Sequence, residues 1–150
     1  MHVRRSSATT ILLVTIALLV SACTTTSGGV AGDLARSSDQ VASAAQSALL
    51  SVQQLQAQRT LTSVTATTLE DSLTEVTDAQ TQLLEADVHQ GDEAGLRDRV
   101  LETAGRVADA IDGVRESLSA DGAGLDAAAQ QLRAAADAAS TLSAESKGLQ

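Results

Sequence analysis

"RTLTSVTATT", residues 59–68, decides the fold of this 150-residue chain. It separates two runs whose apolar residues recur at helical spacing. It contains neither Gly nor Pro, but it is crowded with Thr and Val, whose branched Cβ atoms lower helix propensity. A turn near residues 59–63 leaves four helices. Without one, a single helix runs from residue 33 to 88, giving a three-helix arrangement with a long first helix. Segment lengths favour the turn, because a cut near residue 60 yields four segments of about 24–27 residues, each ~36–40 Å long at helical rise. "TTLE", Thr67 to Glu70, offers a capping-box pattern for the second helix.

Outward from this stretch the three-four spacing is regular. The first segment aligns Leu34, Val41, Ala45, Ala48, Val52 and Leu55, and the second Leu69, Leu73, Val76, Leu83 and Leu84. The third aligns Leu96, Val100, Ala104, Val107, Ile111, Val114 and Leu118, and the fourth Leu125, Ala128, Leu132, Ala135, Ala139 and Leu142. "HQGDEAG" (89–95) predicts that Gly91 ends one helix and Asp92 caps the next, and "SADGAG" (119–124) reads as a turn. Four near-equal helices with short connections predict an all-α, antiparallel up-down-up-down bundle over residues 33–150.

Composition agrees with long helices packed side by side. The chain has no Phe, Tyr, Trp or Pro, so its core must come from many small Ala, Leu and Val contacts rather than a few large anchors. Without the N-terminal Arg4 and Arg5, eight basic residues face nineteen acidic ones, a balance of −11. Such a charge disfavours nucleic acid and anionic lipid headgroups, and no basic patch with interleaved aromatics offsets it. A single cysteine excludes an internal disulfide.

That cysteine stands at a border. "MHVRRSSATT" carries two Arg and no acid, "ILLVTIALLV" is apolar except for Thr15, and "SA" leads into Cys23. A basic start, a short apolar run and small residues form the pattern of a secretory signal over residues 1–22. "VSAC", Val20 to Cys23, resembles the lipobox of bacterial lipoproteins, with Val20 in place of the commonest Leu. The resemblance implies that the Cys23 sulfur receives a diacylglyceryl group. It also implies cleavage between Ala22 and Cys23, and a mature protein held on the outer side of the cell membrane. Two acyl chains hold stably where one holds weakly. "TTTSGGVAG" (24–32) follows with no helical period, so residues 23–32 read as the lipidated Cys and a flexible tether.

Candidate chemistry is sparse. His2 lies in the segment to be removed, and His89 lies in a loop with no partner at helical spacing. Asp71, Glu75 and Asp78 share a helix face, yet they lack the Gly-turned oxygen loop of calcium sites and the Glu-x-x-His pair of di-iron bundles. Glu93 with Arg97, and Glu102 with Arg106, have the order that supports a helix at i, i+4. Gly105 and Gly113 either permit close helix approach or weaken the third helix. No phosphate-binding, dinucleotide or zinc-protease motif is present. The sequence therefore leads to no catalytic, cofactor-binding or metal-binding residue. It leads to a non-enzymatic envelope lipoprotein that serves as a spacer or docking module for another envelope protein. The alternative is a carrier of lipid or a small apolar ligand, which needs an enclosed apolar cavity of at least ~300 Å³.

Overall fold

A computed structural model describes residues 29–88 and 91–148. Their only regular elements are four helices: α1 (Val30–Gln56), α2 (Thr62–Glu85), α3 (Asp92–Ser119) and α4 (Leu125–Lys147). The expected four-helix bundle is present. Side-chain bonds fix its antiparallel sense. Gln46 pairs with Ser140 and Gln56 with Asp126 between α1 and α4, while Gln40 of α1 donates to the Glu75 carbonyl of α2. Each helix packs on its sequence neighbours and α4 closes back on α1; α1 also touches α3 across the diagonal. Ala42, Ala44, Ala45 and Ala48 of α1 are all buried, and their small side chains suit that close diagonal approach.

The decisive turn occupies Ala57–Leu61, two residues upstream of the 59–63 window. Gln58 takes a left-handed conformation (φ 56°), and the Arg59 N–H donates to the Gln54 carbonyl at 2.8 Å. This is the glycine-type C-terminal motif built with a non-glycine residue. Its left-handed position costs roughly 1–2 kcal/mol outside Gly, and here no glycine is present to announce it. The α3 helix ends in the same way, with Asp121 at φ 55° and the Gly122 N–H on the Ser117 carbonyl at 2.9 Å.

Helix starts differ from the sequence reading in three places. First, α1 begins at Val30, so residues 30–32 belong to the helix rather than to the tether, and Gly32 is buried. Second, the cap of α2 is Leu61, with no side-chain capping bond. Thr67 lies well inside α2 and donates to the Ser63 carbonyl at 3.1 Å, so Thr67 and Glu70 form no capping box. A Thr hydroxyl inside a helix has the i−4 carbonyl as its nearest acceptor. Third, α2 ends at Glu85, Gly91 itself caps α3, and Asp92 is the first helical residue. Asp92 and Glu93 then act on the helix dipole instead of capping.

The core follows the predicted stripes with few departures. Of the aligned positions, Leu55, Leu73, Leu118 and Leu125 are half-buried, and Leu84 is 70% exposed. Leu83 takes the core position, and Leu84, turned about 100° round the helix from it, faces solvent.

Candidate functional site

The residues expected from the sequence to carry function, Ala22 and Cys23, lie outside the described residues, as do His2 and His89. No described helix is long and apolar enough to cross a membrane.

The acidic stripe of α2 is placed as expected. Asp71, Glu75 and Asp78 are all exposed. Among the described residues, no three His, Cys, Asp or Glu side chains come together as metal ligands. The α2 helix holds five carboxylates and no basic residue. Five of its threonines, Thr67, Thr68, Thr74, Thr77 and Thr81, donate back to carbonyls one turn earlier.

Of the two proposed helix-supporting pairs, Glu102–Arg106 forms at 2.5 Å. Arg97 instead bonds its sequence neighbour Asp98 at 3.1 Å, so the Glu93–Arg97 pair is absent. The nearer carboxylate wins because an exposed pair gains too little to hold a side chain in one geometry. Gly105 and Gly113 are also settled: a Cβ at either position meets nothing within 4 Å, so neither serves close packing.

The most developed polar cluster joins α1 to α4. Asp39 accepts a hydrogen bond from the Ser143 hydroxyl and pairs with the Lys147 ammonium at 2.9 Å. Partial burial by itself raises the Asp39 pKa, but the Lys147 and Ser143 bonds and the Lys147 charge outweigh it, and the carboxyl sits below its ordinary value of 3.8. Nearby, Arg99 of α3 reaches Glu145 of α4 at 3.2 Å. These partners lie far apart in sequence, so no local spacing advertises them. The cluster acts as a clasp on the last turns of α4.

Two depressions mark the surface. One of about 340 Å³ lies along the outward side of α1, lined by Ser43, Gln46, Ser47, Leu49, Leu50 and Gln53. Another, of about 260 Å³, lies between the start of α1 and the end of α2, beside Asp33, Arg36, Gln82 and Glu85. Both are open to solvent, and each is lined by polar and apolar groups together.

No protein-family model, curated protein or solved structure matches this chain.

Proposed function

We propose that this chain is a lipid-anchored, non-enzymatic envelope lipoprotein whose helical bundle serves as a spacer and docking module. The observation that carries the reading is the position of Cys23. It ends a signal-like apolar run and precedes the start of α1, Val30, by only seven positions. A flexible link of that length has a typical reach of roughly 15 Å. With α3 about 42 Å long by helical rise, the turns at Ala57–Leu61 and Ala120–Gly124 stand farthest from the anchor. Leu61 and Val64, both exposed, lie at that outer end and offer apolar contact to an envelope partner. Acids outnumber bases in the bundle, which keeps it off an anionic membrane surface. The carrier reading gains nothing from the two depressions, since neither is an enclosed apolar chamber.

The test is metabolic labelling with an alkyne-tagged fatty acid in the native host, with wild type beside Cys23→Ala. Wild type should carry the label, begin at Cys23 by intact mass and partition into detergent, and the variant should do none of these. An unlabelled wild type, or a mature N-terminus elsewhere, refutes the anchor. Crosslinking pull-down with the same pair tests docking: a partner captured only by the anchored form supports it, and lipid copurifying without a partner favours the carrier.

A further inference from the structure

The core of the bundle is divided. Leu34, Leu83, Leu96, Val100 and Leu142 form one buried cluster, and a larger Ala-rich cluster runs from Val41 through Ile111 to Ala139. The division crosses all four helices: between Leu34 and Val41, Ala79 and Leu83, Val100 and Ala104, and Ala139 and Leu142. Between its two boundary residues α1 buries Ser37 and Ser38, and α4 buries Ser143 and Ser146 just past Leu142, on the Leu-rich side.

Ser38 sits four residues after Leu34, on the stripe where the core expects an apolar side chain. Its hydroxyl is buried and has no hydrogen-bond partner. Ser143 donates outward to Asp39, and Ser146 donates to the Ser143 carbonyl at 2.8 Å. No serine bond therefore ties the two clusters together across the core. What holds the Leu-rich end on its outside is the Asp39–Lys147 and Arg99–Glu145 pairs, whose side chains are 44–59% exposed and so contribute little. A buried, unsatisfied hydroxyl at the boundary is a standing cost of the closed state.

We propose that the Leu-rich end opens as a cooperative unit of its own, parting between the two clusters beside Ser38 while the Ala-rich section stays closed. Opening uncovers five apolar side chains that the closed bundle hides, at the end where α1 begins. The proposal stands independently of the lipid anchor, because it rests on the division of the core alone.

Native-state hydrogen exchange on the full-length chain in detergent tests it. The amides of Leu83, Val100 and Leu142 should share one opening, with protection about tenfold or more below that of Val107, Ile111 and Leu132 and a weaker denaturant dependence. The variants Ile111→Val and Leu83→Ala then separate the two units. Ile111 is fully buried in the Ala-rich section, and its closed packing is common to the native and the partly open state. Ile111→Val should therefore reduce protection of the Val107 and Leu132 amides by about fivefold and leave Leu83, Val100 and Leu142 unchanged. Leu83→Ala should lower both groups together. Equal loss in both groups from Ile111→Val overturns the proposal, as does graded, residue-by-residue exchange with no shared denaturant dependence.

Discussion

Replacing both Gly105 and Gly113 by Ala should raise the stability of the bundle by about 1.5–2 kcal/mol. Both lie inside α3, where Gly is about 0.8–1.0 kcal/mol less favourable than Ala because the unfolded backbone loses more freedom. The gain is realised only if the added methyl meets no obstruction, and an ideal Cβ at either position has no neighbour within 4 Å. Eight residues of helix place the two sites ~12 Å apart, far enough for their effects to add. For a domain of this size the double variant should melt roughly 5–10 °C higher. Circular dichroism melts with urea titrations at 222 nm measure this directly. The same substitution at Gly124 should act in the opposite direction, because its φ of +78° penalises a side chain by about 1–2 kcal/mol. A double variant that melts at or below the wild-type temperature, while Gly124→Ala behaves as stated, would show that α3 makes closer contacts at these glycines than the geometry described.

Three further outcomes are expected. Ile111→Asp, at a position with no solvent exposure, places an unpaired carboxylate in the seam at a cost of several kcal/mol; a cooperative melt retained near the wild-type temperature would put Ile111 on the wrong face. Ser38→Ala removes the unsatisfied buried hydroxyl and should stabilise by about 1–2 kcal/mol, seen as a higher urea midpoint with an unchanged slope. Asp39 has a folded-state pKa below its unfolded one, so its contribution is fully present above about 3.8 and is lost as pH falls through the folded value. Asp39→Asn should therefore be slightly less stable than wild type at pH 6 and equal to it at acidic pH once Asp39 is protonated; the exposure of both partners keeps the difference small, and a deficit that persists unchanged at low pH would exclude the charge as its cause.

The helical segments, their approximate lengths and most of the core were legible in the sequence. Helical periodicity is a local property, and the stripes through Val100, Val107, Ile111 and Leu132 need only the 3.6-residue repeat to be seen. The turn before α2 was visible only indirectly, as weakened helix propensity and in the equal segment lengths it leaves, because the chain reverses on Gln58 rather than on a glycine. Helix starts were the least legible: α1, α2 and α3 begin at residues with no side-chain capping bond, so the Ser, Thr and Asp signals that normally mark a start point elsewhere. For the candidate site the limits are sharper. Cys23 was singled out by its local context alone, whereas the Asp39, Ser143 and Lys147 clasp joins residues more than a hundred positions apart and has no local signature.

By itself, then, the sequence determined an all-helical, aromatic-free, acidic chain and an N-terminal run that ends at its single cysteine, because composition and short-range spacing set those features. Only the tertiary structure decided which of two adjacent leucines, Leu83 or Leu84, faces the seam, that Gly105 and Gly113 have room for a side chain, and that Ser38 is buried without a partner. Each of these depends on what a neighbouring helix places within a few ångströms, and helix-to-helix contact is information that no stretch of a single helix contains.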